Sequence, residues 1–192
     1  MEQLKQRIRR EGKILGSDIL KVSSFLNHRI DIIFLDEMAA ELCRRFAGQR
    51  IDKVLTIEAS GIAIACAVAR ILKVPVVFCK KSASATVSDD VYSVKIHSFT
   101  HNNENNVIVS KDFISKGENI LVVDDFLANG CALEGLFSLI EQGGAVVVGA
   151  GIVIEKGYQK GGDKLREKGR RIESLAIIDS MSEKNGIKFR ER

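Results

Sequence analysis

The chain has 192 residues, of which 45% are hydrophobic and 28% charged, values that fit a globular protein with one domain and a substantial core. No apolar stretch is long enough to span a bilayer, and the first residues are too polar for a secretory signal, so we expect a cytoplasmic protein without a membrane partner. Much of the net charge of +4 lies at the two ends of the chain, and no nucleic-acid-binding module accompanies it, which argues against a nucleic acid partner.

The first half of the chain predicts alternating helices and strands. Helical spacing of apolar residues predicts a short amphipathic helix over 2–11 and a longer one over 32–47, with Gly48 as its stop signal. Short apolar runs predict strands at 19–22, 53–57 and 74–79. A turn at 58–61 precedes a predicted helix over 62–72, and residues 80–90 lack periodicity, which predicts a mobile loop.

The second half continues this alternation. Two strands joined by an Asn-rich turn are predicted over 91–100 and 107–110. The apolar run 120–123 predicts a strand buried on both faces, and a helix follows to residue 142. Strands over 145–154 and 171–178 and a short polar tail complete the chain. The alternation predicts an α/β fold with a mainly parallel sheet flanked by helices, in a single domain over 1–192.

Cysteine and histidine spacing does not indicate a metal site. His97 and His101 lie in a strand-like segment, which separates them by about 13 Å, too far to share one ion. The cysteines show no Cys-x-x-Cys spacing, which is typical of reduced thiols in the cytosol. They are Cys43, Cys66, Cys79 and Cys131.

The segment 120–136 carries the strongest functional signal. Asp124 and Asp125 end its apolar run, small residues follow at 128–132, and a helix starts there. Gly130 lets a ligand approach the backbone, and a helix start favours an anion. The carboxylates can accept hydrogen bonds from a vicinal diol and help hold Mg²⁺ against a diphosphate. The run therefore predicts a sugar-phosphate site. The competing interpretation is an ordinary strand, turn and helix with two solvated aspartates.

This run resembles the phosphoribosyl-diphosphate motif of the type I phosphoribosyltransferases. The resemblance extends in order through nearly the whole chain, over the segments 20–28, 54–63, 74–78 and 151–156. The segments around Asn27 and Lys156 resemble the xanthine-using branch of that family. The resemblance implies a small hood built by residues 1–30 with the C-terminal tail at the edges, a homodimer, and Mg²⁺ bound with the substrate diphosphate.

The resemblance also implies the substrate contacts. The predicted contacts to 5-phosphoribosyl 1-diphosphate are Asp124, Asp125, Ala128, Asn129, Gly130, Cys131 and Ala132. The predicted contacts to xanthine are Leu20, Asn27 and Lys156. A lysine only donates hydrogen bonds, so beside a purine it favours a 6-carbonyl over the amino group of adenine. The turn 58–61 would hold the leaving pyrophosphate, and the loop after Lys80 and Lys81 would close over it, although an ordinary turn and a solvated loop are competing interpretations.

No catalytic residue is predicted. Some 6-oxopurine phosphoribosyltransferases carry an aspartate three residues after the second acid, as a presumed base near the purine. Ala128 occupies that position here. We therefore expect catalysis by orientation and by electrostatic stabilisation of the leaving diphosphate.

The expected function is purine salvage, with transfer of phosphoribosyl to xanthine to give xanthosine 5′-monophosphate and diphosphate. Two alternatives remain open. One is a transferase that prefers guanine or hypoxanthine. The other is a non-catalytic, DNA-binding regulator that senses phosphoribosyl diphosphate. The roughly thirty residues before the first core helix are too few for a winged helix-turn-helix, which argues against the regulator.

Overall fold

A computed structural model describes residues 1–16, 18–82, 90–98 and 103–191. The helices in this part of the chain are α1 (Glu2–Glu11), α2 (Ile32–Arg45), α3 (Gly61–Leu72), α4 (Cys131–Gln142) and α5 (Gly161–Glu167). The strands are β1 (Lys13–Leu15), β2 (Ile19–Lys21), β3 (Lys53–Ile57), β4 (Val76–Ser82), β5 (Val91–Ser98), β6 (Asn103–Ser110), β7 (Asn119–Leu127), β8 (Val146–Lys156), β9 (Ile172–Ser182) and β10 (Gly186–Phe189).

Eight of these strands form a sheet in the order β10-β9-β8-β7-β3-β4-β6-β5. The strands from β9 to β4 run parallel to one another. At the edges β10 is antiparallel to β9, and β6 is antiparallel to both β4 and β5. Strands β1 and β2 form a separate antiparallel pair. The predicted α/β fold with a mainly parallel sheet is confirmed.

The central strands are apolar because helices cover both faces of the sheet. Val54 and Leu121 pack in one buried cluster with residues of α2 and α3. Their chain neighbours Leu55 and Val122 pack in the other cluster, with residues of α4. This alternation is the two-residue period of a strand buried on both sides. No helix in the described ranges is long and apolar enough to cross a bilayer.

Local sequence signals set the helix boundaries. Asp31 caps α2, because its carboxylate accepts a hydrogen bond from the Phe34 N–H at 3.2 Å. The helix α3 ends at Lys73, which adopts the left-handed conformation with φ 58°. These boundaries leave the turns between strands and helices at the carboxyl ends of the parallel strands, where ligands bind in such sheets.

The predicted loop at 80–90 is wrong at its start. Strand β4 continues to Ser82, and Lys80 and Lys81 pair with Ile108 and Val107 of β6. The polar sequence of residues 80–82 does not indicate a strand, because the strand is formed by backbone pairing with a hairpin more than twenty residues away. Residues 83–89, which held the rest of the predicted loop, lie outside the described residues. The same is true of 99–102, which include the predicted Asn-rich turn's first residues and His101.

Strand β7 also continues beyond its apolar run. The prediction that a strand ends before Asp124 and Asp125 is wrong, because β7 extends to Leu127. Pairing with β3 stops at Val122, whereas pairing with β8 continues to Leu127. The two acids interrupt the hydrophobic pattern, but the backbone around them remains in the sheet.

Several short elements, most of them near the C-terminal end, were not predicted. Strand β9 extends to Ser182, and part of the predicted polar tail folds back as β10, where Phe189 is buried. The strand β1 and the helix α5 have three and seven residues, fewer than the window over which hydrophobic periodicity can be recognised.

Candidate active site

A cavity of about 280 Å³ opens where β3 and β7 lead into their helices. Carboxylates and small loop residues line it on one side, and a lysine with polar neighbours lines it on the other. The lining residues are Asp18, Ile57, Glu58, Ser60, Lys81, Ile96, Asn105, Val107, Asp124, Asp125, Ala128, Asn129, Cys131, Ala132, Lys156 and Gln159.

The first wall is the loop between β7 and α4, which we call the phosphate loop (residues 128–132). Gly130 has φ 93°, in the left-handed region that favours glycine, and it precedes the first residue of α4. The Asn129 side chain accepts a hydrogen bond from the Cys131 N–H at 3.1 Å, which shapes the turn. The first N–H groups of a helix lack partners within it. The loop therefore presents backbone donors and a positive helix end to an anion.

Asp124 and Asp125 sit in different environments although they are neighbours. Asp125 is 6% exposed, and its carboxylate accepts a hydrogen bond from the Phe126 N–H at 3.0 Å. Asp124 lines the cavity and accepts from the Asp125 N–H at 2.9 Å. Burial, together with the adjacent Asp125 carboxylate, raises the pKa of Asp124 well above its ordinary value. A cation or a hydrogen-bond donor that entered the cavity would lower the pKa of Asp124 again, because it would stabilise the ionised carboxylate.

Sequence reasoning missed Thr56, a fully buried residue of β3 beside Asp124. A Cβ atom placed on Gly61 would lie 2.3 Å from Thr56 Oγ1 and 2.5 Å from Asp124 Oδ1, so both oxygens face the same space at the start of α3. Among the described residues, Thr56 Oγ1 has no hydrogen-bond partner. The sequence signal was available, since Thr56 is a polar residue within the apolar part of β3.

The second wall is the turn at 58–61 between β3 and α3. The Glu58–Ala59 peptide bond is cis, and Glu58 Oε1 accepts a hydrogen bond from the Lys81 N–H at 2.5 Å. Lys81 lines the cavity beside this turn, and its charge acts on Asp124. Ser60 also lines the cavity. The turn therefore lies beside a cation at the cavity, and its role toward a leaving diphosphate stays a prediction.

The third wall lies at the end of β8. Lys156 Nζ donates a hydrogen bond to the Asp18 carbonyl oxygen at 2.6 Å, and Gln159 Nε2 donates to the Asp18 carboxylate at 2.8 Å. Burial lowers the pKa of Lys156. Asp18, which precedes β2 and which sequence reasoning did not single out, thus covers one end of the cavity.

The structure brings most of the predicted contacts together. Asp124, Asp125, Lys156 and four residues of the phosphate loop line the same cavity, with Gly130 between them in sequence. Asn27 instead lines a neighbouring cavity that shares Ser60 with the first one. Leu20 is 6% exposed and packs in the core cluster of α2 and α3. The structure therefore does not place Leu20 or Asn27 in the wall that contains Lys156.

The carboxylate pair fits a magnesium ion that arrives with a substrate. Among the described residues, no cluster of three or more His, Cys, Asp or Glu side chains is arranged to hold a metal. Mg²⁺ is usually held by one or two carboxylates together with substrate phosphates and waters. Asp124, with Asp125 behind it, supplies that number of carboxylates at the cavity.

The raised pKa of Asp124 predicts an unusual dependence of stability on pH. Between the ordinary value of 3.8 and the raised value, the folded protein keeps a proton that the unfolded chain releases. The stabilisation is therefore complete below 3.8 and is lost as the pH rises through the folded-state pKa. We expect Asp124→Asn, which cannot ionise, to unfold at higher urea concentration than the unmodified protein at neutral pH, with a difference that disappears in acid.

Asp52→Asn is the control for this experiment. Hydrogen bonds from Asn119 lower the pKa of Asp52 to about 2, so its contribution has the opposite sign. Asp52→Asn should destabilise the protein at neutral pH, and this loss should shrink as the pH falls toward 2. An Asp124→Asn protein that shows no gain at neutral pH would contradict the assignment of a raised pKa.

A thiol at the phosphate loop provides a second test of the site. Cys131 lines the cavity, whereas Cys43 is half-buried and Cys79 is buried with its pKa raised to about 12. Cys66 is exposed. In a Cys66→Ser protein, we expect a thiol reagent to react mainly at Cys131, and phosphoribosyl diphosphate to slow this reaction. The same protection after a further Cys131→Ser change, followed by mass spectrometry, would point to another cysteine.

Solved structures with the same fold include adenine phosphoribosyltransferases. One is the enzyme from Giardia lamblia complexed with 9-deazaadenine, with a TM-score of 0.76, 22% identity, and coverage of 91% of this chain and 96% of that one. Another is the enzyme from Trypanosoma brucei in complex with AMP, pyrophosphate and ribose-5-phosphate, with a TM-score of 0.76, 16% identity, and coverage of 95% and 83%. At these identities the likeness shows the fold.

Sequence comparison is more specific. The phosphoribosyl transferase domain model matches residues 21–180. The chain is 55% identical to the xanthine phosphoribosyltransferase of Clostridioides difficile, over 99% of this chain and 100% of that protein. It is 52% identical to the xanthine phosphoribosyltransferase of Lachnoclostridium phytofermentans, over 97% of this chain and 96% of that protein. The chain belongs to the phosphoribosyltransferase family, among the xanthine phosphoribosyltransferases.

Proposed function

We propose that this chain is an enzyme of purine salvage, which transfers the phosphoribosyl group of 5-phosphoribosyl 1-diphosphate to xanthine and gives xanthosine 5′-monophosphate and diphosphate. The main support is one cavity with a small-residue loop at a helix start, a carboxylate pair and a half-buried lysine, in a chain about half identical to proteins named for this activity. Those parts match a phosphate, a ribose and a 6-oxopurine.

The phosphoribosyl diphosphate would span the first two walls. The phosphate loop offers backbone N–H groups to the 5′-phosphate, and the carboxylates of Asp124 and Asp125 accept hydrogen bonds from the ribose hydroxyls. The turn at 58–61 and Lys81 lie on the side of the leaving diphosphate. Two separate anion sites at the ends of β3 and β7 suit a ribose that carries a monophosphate and a diphosphate.

The base would lie against the third wall. Lys156 Nζ is the donor for the purine 6-carbonyl, and its lowered pKa reflects a partly dry position. Asn27 would reach the substrate from the neighbouring cavity across Ser60, and Leu20 would act from β2, where its side chain packs in the core. Both of these contacts remain predictions from the family resemblance. The strands β1 and β2, with Asp18 before β2, would form part of the proposed hood.

The chain's residues orient the two substrates for a direct displacement. N9 of xanthine, bound as its monoanion, forms a bond to C1′ as the bond from C1′ to the diphosphate oxygen breaks, so the diphosphate leaves with that electron pair and no ring proton has to be transferred. The phosphate loop and Asp124 fix the ribose, while Lys156 fixes the base, so the reacting atoms meet in one geometry. Mg²⁺ would neutralise charge on the diphosphate. The hood and walls exclude water from the reacting carbon.

Other features of the proposal come from the family. A homodimer and a cytoplasmic location stay predictions. A guanine- or hypoxanthine-preferring transferase remains the nearest alternative, because Lys156 matches any purine with a 6-carbonyl. A regulator that binds phosphoribosyl diphosphate without catalysis is the alternative from another class.

An assay that compares four purine bases one at a time tests the proposal. Diphosphate release would be measured with phosphoribosyl diphosphate, Mg²⁺ and each of xanthine, guanine, hypoxanthine and adenine. We expect the highest kcat/KM with xanthine and none detectable with adenine. A higher kcat/KM with guanine or hypoxanthine would favour the transferase that prefers those bases. Binding of phosphoribosyl diphosphate without diphosphate release in the presence of any base would favour the regulator.

A further inference from the structure

The phosphate loop rests on a helix that sequence reasoning did not predict. A Cβ atom placed on Gly161, the first residue of α5, would lie 2.2 Å from the Ala128 carbonyl oxygen, 2.4 Å from the Asn129 carbonyl carbon and 2.5 Å from the Gly130 nitrogen. The contact is reciprocal, because a Cβ on Gly130 would lie 3.3 Å from Gly161 Cα. The backbone of α5 therefore touches the backbone of the loop directly.

This contact cannot adapt easily to a larger residue. All three atoms nearest to Gly161 are backbone atoms, which cannot rotate away as the end of a side chain can. Ordinary contacts of a Cβ atom are about 1 Å longer than those found here, and close-packed interiors transmit such a displacement. A methyl group at Gly161 would therefore push the phosphate loop out of its present shape.

An ion pair between the buried Glu155 and the partly exposed Arg166 fixes the position of α5. Glu155 is fully buried, and it accepts hydrogen bonds from Arg166 Nη1 at 2.9 Å and Nη2 at 2.6 Å. Ser174 Oγ also donates to Glu155. Gly162 passes so close that a Cβ there would lie 2.1 Å from Glu155 Oε1. A bidentate pair of this kind holds the two side chains in one geometry. It is therefore better suited to positioning α5 than to stabilising the fold.

Glu155 of this ion pair connects the end of the cavity at Lys156 with the end at the phosphate loop. Glu155 precedes Lys156 in β8 and pairs in register with Leu127, the last residue of β7 before the phosphate loop. Asp163 of α5 in turn binds Arg190 at 2.7 Å, next to β10. The segment of the chain after β8 thus sits behind the loop that receives the phosphate.

We propose that Gly161, held in place by the Glu155–Arg166 ion pair, is a positioning residue that gives the phosphate loop its binding shape for the 5′-phosphate of phosphoribosyl diphosphate. This inference rests on the proposed function. Neither Gly161 nor the ion pair lines the cavity. They act by setting where the loop N–H groups lie.

The test compares Gly161→Ala with Gly143→Ala. Gly143 lies at the other end of α4, where a Cβ would be 2.4 Å from Ile114 Cγ2, a similarly short distance but to a side-chain atom and far from the loop. We expect Gly161→Ala to raise the KM for phosphoribosyl diphosphate about 10- to 100-fold with little change in the KM for xanthine, since a misplacement of about 1 Å has effects of this order. Gly143→Ala should lower the melting temperature but leave both KM values unchanged.

Arg166→Lys provides a second variant with a milder change, because it keeps the charge but loses the bidentate hydrogen bonding to Glu155. We expect it to raise the same KM, by less than Gly161→Ala. Equal phosphoribosyl diphosphate affinity in Gly161→Ala, Arg166→Lys and the unmodified protein, measured by calorimetry, would overturn the positioning role. If the unmodified protein itself did not bind phosphoribosyl diphosphate, the proposed function would be overturned together with the positioning role.

Discussion

Replacement of Gly130 by valine is expected to abolish binding of phosphoribosyl diphosphate while the fold is retained. Gly130 has φ 93°, where a residue with a side chain costs about 1–2 kcal/mol, and more for a β-branched one. The valine would also meet Gly161 and Leu165 behind the loop. Loss of one charge-assisted hydrogen bond costs about 1.5–3 kcal/mol, and displacement of the loop affects several, so affinity should fall by more than about 100-fold.

Gly117→Val is the matched control for this experiment. Gly117 has φ 82°, but a Cβ atom there has no neighbour within 4 Å, and it lies before the opposite end of β7. Both variants should lose stability in urea unfolding because of the positive φ, and Gly130→Val somewhat more because its side chain also meets Gly161 and Leu165. Calorimetry should then show weaker phosphoribosyl diphosphate binding only in Gly130→Val, and unchanged binding in that variant would contradict the role of the phosphate loop.

Lys156→Ala is expected to lower kcat/KM for xanthine roughly 10- to 150-fold, the equivalent of a charge-assisted hydrogen bond of about 1.5–3 kcal/mol. Lys156 Nζ is half-buried and contacts the Asp18 carbonyl oxygen at 2.6 Å, so it is already held at the end of the cavity. Affinity for phosphoribosyl diphosphate should barely change, because the phosphate loop and the carboxylates lie on other walls. If xanthine binds as an anion, the variant should also lose part of its preference for xanthine over hypoxanthine.

Lys164→Ala serves as the control for charge. Lys164 is exposed on α5 and does not line the cavity, so its removal lowers the net charge by the same amount without a local effect. Steady-state kinetics with xanthine and hypoxanthine should separate the two variants. Unmodified xanthine kinetics in Lys156→Ala would place that residue outside the base site.

Several elements could be predicted because their signals are local in sequence. The apolar runs of β3 and β7 predict strands buried on both faces, and the acids and small residues after β7 predict a phosphate loop beside carboxylates. A strand-turn-helix unit creates this site from consecutive residues. The chemistry of such a unit can therefore be inferred before its surroundings are known.

Other parts depend on contacts between distant segments. The strand character of Lys80 and Lys81 comes from pairing with β6, and the covering of Lys156 comes from Asp18, more than a hundred residues earlier. Asn27 lies in a neighbouring cavity, which its sequence context does not reveal. No local pattern encodes these relations, since they arise only when strands and loops pack together.

The sequence by itself determined the fold class, the family and the wall of the site formed by residues 124–132. The tertiary structure decided what stands behind and around that wall: Thr56 and Gly61 beside Asp124, and Gly161 with its ion pair beneath the phosphate loop. The physical reason is that hydrophobic period and turn chemistry act over a few residues, whereas steric contact and hydrogen bonding in a packed interior join residues regardless of their separation in the chain.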